Sequence, residues 1–172
     1  SYGHEEQDAR TYARWGIDYL KYDWCSYGEL VKGDSSLEAQ RKPYEVMRAA
    51  LDRVDRDIVY SLCQYGMGRV WEWGASVGGD LWRTTGDITD TWSSLSRIGF
   101  GQADLSAHAG PGAWNDPDML VVGTVGWGPK LRPSRLSPNE QVTHVTLWAV
   151  LAAPMLLGSD MAQLDTLTLH LL

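Results

Sequence analysis

The sequence has little of several things that would point to other kinds of protein. Cysteine is nearly absent, with Cys25 and Cys63 the two in 172 residues. Two cysteines so far apart make neither a disulfide scaffold nor a zinc site, and both read as buried free thiols. Basic residues are outnumbered, fifteen Lys and Arg against twenty-two Asp and Glu, for a net charge of −7. They are also scattered, and phosphate recognition needs a clustered basic footprint, which excludes nucleic acid as a partner. No apolar run approaches the roughly 20 residues that cross a bilayer, and the first residues are not a basic-then-apolar leader.

Several catalytic signatures are missing as well. His4, His108, His144 and His170 are scattered, with no H-E-x-x-H spacing for a metal. No G-x-G-x-x-G follows an apolar segment, so a dinucleotide fold is not indicated. Gly110-Pro111-Gly112 lacks the Lys-Ser/Thr of a phosphate loop and reads as a tight turn. Gly74-Ala75-Ser76-Val77-Gly78 fits G-x-S-x-G. A nucleophile elbow needs a strand before that motif and a helix after it, whereas here a strand follows.

What the chain does have is Trp and Tyr, nine and eight of them against a single Phe, within 44% hydrophobic residues. Such rings suit stacking on sugar faces, although most aromatic side chains simply fill cores. Their setting is an alternation of helix and strand. Glu5 to Trp15 has helical spacing and an acidic first turn, and Gly16 stops it. Ile17–Asp23, Ile58–Leu62 and Leu81–Thr85 read as buried strands. Pro43 reads as the first-turn proline of a helix with Tyr44, Met47, Leu51 and Val54 on one face. Trp92–Ile98 lies in a third helix, and Pro138 with Glu140 opens a fourth. A short strand falls within Ala113–Val122, interrupted around Pro117. Pro154–Leu157 reads as a fifth strand, before a last helix around Leu164–Leu172.

Strands too apolar for a wet face, alternating with helices, make a parallel sheet covered by helices. A complete (β/α)8 barrel takes roughly 250 residues, about 31 per unit, so this chain holds about five units. In barrels the working residues stand at the C-terminal ends of strands. Those ends carry Lys21 and Asp23; Cys63, Gln64 and Tyr65; Arg83 and Asp87; Trp114, Asn115, Asp116 and Asp118; and Ser159 and Asp160. Carboxylates, amides, one Arg, one Lys and rings suit a sugar-hydrolysing pocket. Lys21 and Asp23 are two apart and share a strand face, so Lys21 favours an ionised Asp23. From spacing alone a structural ion pair is the stronger explanation of Lys21 and Asp23, and Asp87 could be a helix cap.

Five blocks carry a resemblance: SYGHEEQDA from Ser1, WGIDYLKYDWC from Trp15, WRTTGDITDTW from Trp82, GPGAWNDPDML from Gly110 and LWAVLAAPMLLGSD from Leu147. In that order they resemble the melibiase family, glycoside hydrolase family twenty-seven, whose members include α-galactosidases and α-N-acetylgalactosaminidases. The resemblance implies a retaining exo-glycosidase on a (β/α)8 TIM barrel, working without metal or cofactor on terminal α-galactosides of oligosaccharides or polysaccharides. Asp23 matches the family's nucleophile and Asp87 its acid/base. Lys21, Arg83, Asp118 and Met119 match residues around the sugar. Cys63 and Gln64 fall on the loop that reads the second carbon, and Trp24 could add a stacking wall. A retaining pair stands roughly 5–5.5 Å apart.

The departures concern the substrate more than the reaction. Cys63-Gln64-Tyr65 stands where Cys-Glu-Trp is common in the family, so α-N-acetylgalactosaminidase, β-L-arabinopyranosidase and isomaltose-releasing dextranase specificities remain alternatives. A non-catalytic sugar-binding barrel is a further alternative, against which the presence of both Asp23 and Asp87 argues. The resemblance places these strands as about the fourth to eighth of the barrel. The expectation is that residues 1–172 form the C-terminal part of the catalytic domain, with three βα units before it and a β-sandwich after it. The family's usual setting is secretion, the periplasm or the lysosome. The family's partner for the cysteine matching Cys25 lies upstream of Ser1.

Overall fold

A computed structural model describes residues 1–126 and 130–172. The chain forms two compact units, residues 1–84 with 108–114 and residues 85–107 with 115–172.

The first unit opens with helix α1, Glu5–Trp15. Glu5, Glu6 and Asp8 sit at its positive end and Arg14 at its negative end, matching the helix dipole. Gly16, at φ 75°, ends it as expected. Strand β1 is Tyr19–Asp23, followed by a single helical turn α2, Tyr27–Leu30. Helix α3 spans Leu37–Leu51 and starts six residues before Pro43, which is therefore an interior proline. The Ser36 side chain accepts the Ala39 amide and nucleates the helix there, ahead of the proline. Strands β2 (Val59–Cys63) and β3 (Leu81–Arg83) follow, separated by short 3-10 turns. One of these holds Gly74–Val77, where the Ser76 hydroxyl donates to the Trp73 carbonyl, so the G-x-S-x-G segment is no elbow.

β1 and β2 pair in parallel with Asp23 opposite Cys63, and β2 pairs in parallel with β3 with Leu62 opposite Trp82. The sheet order is β1-β2-β3-β4. Strand β4, Trp114–Asp116, joins at Trp114, whose amide donates to the Asp80 carbonyl. Strand alternation sorts the side chains into two sets. Leu20, Tyr22, Tyr60, Leu62 and Trp82 join Tyr44, Met47 and Leu51 in one apolar core. Lys21, Asp23, Ser61, Cys63 and Arg83 stand on the other face.

The second unit has its own core of Ile88, Leu95, Leu120, Val121, Val122 and Trp148. Each large apolar side chain buried there contributes about 1.5–3 kcal/mol. Strands β5 (Thr124–Val125) and β6 (Arg132–Pro133) form a small antiparallel pair. Helix α4, Trp92–Phe100, is capped by Thr91, so Asp87 does not serve as its cap. Helix α5, Pro138–Val150, starts with Pro138 and a capping box of Ser137 and Glu140. A Cβ on Gly99 of α4 would come within 2.5 Å of Leu147 and 2.9 Å of Trp148, so glycine lets the two helices approach. Asp165 caps the final helix α6, Thr166–Leu171.

Pro154–Leu157 is not a strand. It makes a single parallel bridge, Leu157 to Leu120, flanked by backbone bonds from Leu120 to Leu156 and from Gly158 to Leu120. The β-like composition is present, but pairing covers too little of the segment to form a ladder. No helix among the described residues is long and apolar enough to cross a membrane.

Asp90 ties the second unit together. It is buried and accepts the Arg135 amide at 2.8 Å, the Arg135 guanidinium at 2.8 Å and the Arg132 guanidinium at 3.0 Å. Burial alone raises a carboxyl pKa, but these bonds outweigh it and hold Asp90 far below the usual range. Its contribution to stability is therefore present above the unfolded value near pH 4 and disappears as pH falls below it. Asp90→Asn is expected to destabilise the intact protein by about 1–3 kcal/mol near neutrality. In thermal unfolding the gap from wild type should shrink only below about pH 4; a gap that persists unchanged into acid contradicts this account.

Candidate active site

The polar face of the first unit's sheet gathers Lys21, Asp23, Cys63 and Arg83. Asp23 ends β1, and its Oδ1 accepts the Cys25 amide and the Tyr65 hydroxyl, each at 2.9 Å. Both donors sit in the left-handed region, Cys25 at φ 39° and Tyr65 at φ 63°. Such conformations cost about 1–3 kcal/mol each for residues other than glycine. Here the strained turns aim both donors at one carboxylate oxygen. Cys25 is exposed rather than buried as expected, because the chain has turned away from the sheet one residue past the strand.

Cys63 is buried directly opposite Asp23. Burial pushes its thiol up to about 12, against the pull of Lys21 and Arg83, so it stays protonated and can donate to Asp23. Arg83 is buried too. Its Nη1 lies 3.9 Å from the Cys63 sulfur, and its guanidinium sits 5.6 Å from the centre of the Tyr65 ring. For Asp23, partial burial is the largest influence and raises the pKa. The hydrogen bonds from the Cys25 amide, the Tyr65 hydroxyl and the Cys63 thiol together overcome it, leaving the carboxyl below its ordinary value. The result is a half-buried carboxylate kept charged.

Gln64 follows Cys63 and is buried, with neither amide atom hydrogen-bonded among the described residues. An unmade bond of this kind costs about 1–3 kcal/mol unless a ligand or water makes it. Trp24 points away from Asp23, stacking on Tyr44 and meeting Tyr27 edge-on. It still lines, with Lys21, Asp23 and Tyr27, a pocket of about 540 Å³ in this unit.

Asp87, Asp118 and Met119 stand in the second unit. Asp87 is exposed, between exposed Gly86 and fully buried Ile88. Asp118 is buried at φ 95°, and its Oδ2 accepts the Ile88 amide at 2.8 Å. Met119 lies against Gly158, where an added Cβ would fall 2.5 Å from its sulfur. Among the described residues no group of three or more His, Cys, Asp or Glu is placed to hold a metal ion.

Two features were not assigned from the sequence. Tyr65 was noted at a strand end, but nothing in its spacing said its hydroxyl reaches Asp23 across 42 positions. The attachment of Asp90 to Arg132 and Arg135 was equally hidden, since these residues lie 42 and 45 positions away.

Comparison with known proteins now decides the family. The model for the family described as Melibiase_2, Alpha galactosidase A, matches residues 1–172. The chain belongs to this family. It is 41% identical over 172 residues to alpha-galactosidase 2 of Arabidopsis thaliana, covering 100% of this chain and 39% of that protein. Among solved structures, a candidate alpha-galactosidase/melibiase of Bacteroides fragilis matches with a TM-score of 0.88 and 40% identity, over 99% of this chain and 37% of that one. An alpha-galactosidase of Saccharomyces cerevisiae solved with raffinose matches at 0.79 and 28% identity, over 98% of this chain and 39% of that one. The chain thus spans about two fifths of the length of the curated relatives it matches. Its βα units have the fold of part of the (β/α)8 barrel of this melibiase family.

Removing one donor should weaken the hold on the Asp23 charge. Tyr65→Phe is expected to raise the Asp23 carboxyl pKa, as read by NMR titration of labelled aspartate side chains. A titration curve unchanged from wild type would show that the Tyr65 hydroxyl has no such effect.

Proposed function

We propose that the protein containing this chain is a retaining α-galactosidase that removes terminal α-linked galactose from oligosaccharides or polysaccharides. The observation that carries this is Asp23, a carboxylate kept ionised at a strand end by three donors. A glycosidic nucleophile must be charged at working pH, and it must carry no tight pairing that would quench its attack. Hydrogen bonds from neutral donors meet both needs.

In this reading Asp23 attacks the anomeric carbon while Asp87, exposed on its loop, protonates the departing oxygen. Asp87 then takes a proton from water, which hydrolyses the ester on Asp23. Lys21 and Arg83 supply positive charge beside the sugar hydroxyls and the nucleophile. Gln64 offers an unused donor and acceptor to a hydroxyl, Cys63 lies beside it, and Asp118 and Met119 flank the sugar. Trp24 is a wall of the pocket through its edge, with its face already committed to Tyr44. Residues 1–172 are taken as the C-terminal part of the catalytic barrel, with further βα units and a β-sandwich belonging to the same protein. The shared length with the A. thaliana relative and the raffinose-bound yeast enzyme supports an α-galactoside substrate.

The full-length protein should hydrolyse an aryl α-galactoside and release α-galactose as the first-formed anomer in a proton NMR time course. Asp23→Asn should lower kcat/KM at least about a thousandfold. First release of the β-anomer, or an Asp23→Asn variant with full activity, would overturn the mechanism. Preference for α-N-acetylgalactosaminide or β-L-arabinopyranoside in the same assay would overturn the substrate.

A further inference from the structure

We propose that Asp118 is a positioning residue for Asp87, acting through the backbone amide of Ile88. This rests on the reading of Asp87 as the acid/base. Asp87 follows a glycine with open space around it, and its own side chain is exposed. An acid/base carboxylate must be held in register with the leaving oxygen, because a displacement on the order of 1 Å can cost a hundredfold in rate. Its loop is therefore informative for what holds it.

The next residue supplies the anchor. Ile88 is fully buried in the second core, and its amide donates to Asp118 Oδ2 at 2.8 Å. A carboxylate acceptor makes this stronger than a neutral bond. Asp118 is fixed on every side. Its Oδ1 accepts the Met119 amide at 2.8 Å, and its own amide donates to Asp116 Oδ1 at 2.8 Å. Its carbonyl accepts the indole N–H of Trp148 at 2.6 Å.

Trp148 is itself fully buried on α5, with the His144 ring meeting it edge-on at 4.2 Å. The His144 Nε2 accepts the Val121 amide at 3.1 Å, which ties the same helix to the segment just after Asp118. Burial holds this imidazole down to about 4, so it remains a neutral acceptor. A line of fixed groups thus runs from α5 through Trp148 and Asp118 to Ile88, one residue from Asp87.

The backbone of Asp118 sharpens the point. At φ 95° it sits where glycine is favoured, so a residue with a side chain is strained there. A glycine would relieve that strain, but it has no carboxylate to hold the Ile88 amide. Asp118 is therefore accounted for by its grip on the Asp87 loop, whatever it also offers to the sugar.

Leaving-group dependence separates this role from sugar binding or folding, because a good leaving group needs no acid. The full-length protein and its Asp118→Asn, Trp148→Phe and Asp87→Ala variants would be assayed on dinitrophenyl and unsubstituted phenyl α-galactosides and on raffinose. For Asp118→Asn, the loss of kcat/KM on phenyl galactoside and raffinose should exceed the loss on the dinitrophenyl substrate by about tenfold or more. Trp148→Phe should show the same pattern to a smaller degree, and it carries the test if Asp118→Asn does not fold. An equal loss on all three substrates, or a rise in KM with no change in leaving-group dependence, overturns the proposal. If Asp87→Ala itself shows no leaving-group dependence, the acid/base reading fails, an outcome distinct from failure of Asp118→Asn alone.

Discussion

A charged carboxylate that is half withdrawn from water must be stabilised by something, and at Asp23 neutral donors do it. The Cys25 amide, the Tyr65 hydroxyl and the Cys63 thiol come from the turn after β1, the loop after β2 and the end of β2. The Cys25 amide reaches Asp23 through its own left-handed turn, and the other two because β1 and β2 run parallel with Asp23 opposite Cys63. That register depends in turn on the apolar face. Tyr60, Leu62 and Tyr22 are committed to one core, so the alternate residues must face the other way. A one-residue slip would bury Lys21 and Asp23 among tyrosines. The apolar core therefore fixes the polar site, and the left-handed turns at Cys25 and Tyr65 complete it.

The second unit solves a different problem. In the proposed reading, Asp87 has to be exposed to meet a leaving group and still be held in place. The solution puts fixed residues around it: Ile88 is buried, Thr89 donates its amide to the Ser94 hydroxyl at 3.0 Å, and Asp90 is fastened to Arg132 and Arg135. Asp87 itself is exposed, while Ile88 and Asp90 beside it are buried. The buried carboxylates of Asp90 and Asp118 in this unit are both matched by donors, as expected where an unpaired carboxylate would be costly.

Much of this was legible in the sequence, and the limits have physical reasons. The βα alternation and the strand ends were visible because apolar periodicity and glycine stops are local signals. Pro43 misled because a well-placed serine cap and good helix formers before it outweigh one interior proline. Pro154–Leu157 misled because a β-like composition does not guarantee a pairing partner along its whole length. Cys25 was expected to be buried with the strand it follows, but the left-handed turn carries it out to solvent. Spacing left Asp23 and Asp87 as plausible carboxylates with ordinary structural explanations, and the resemblance to the melibiase family supplied their roles. What no local pattern could give was reach: Tyr65 to Asp23, Asp118 to Ile88 and Asp90 to Arg132 and Arg135 each join residues 30 to 45 positions apart.

The central claim is that Asp23 is the residue to which the sugar becomes covalently attached. Its most direct test is to trap that species in the full-length protein with a slow-turnover fluorinated galactosyl fluoride, digest the protein and sequence the labelled peptide by mass spectrometry. The account predicts one galactosyl label, on Asp23, released again when a competing acceptor is supplied. A label on any other carboxylate, or steady turnover of the reagent with no labelled peptide, would contradict it.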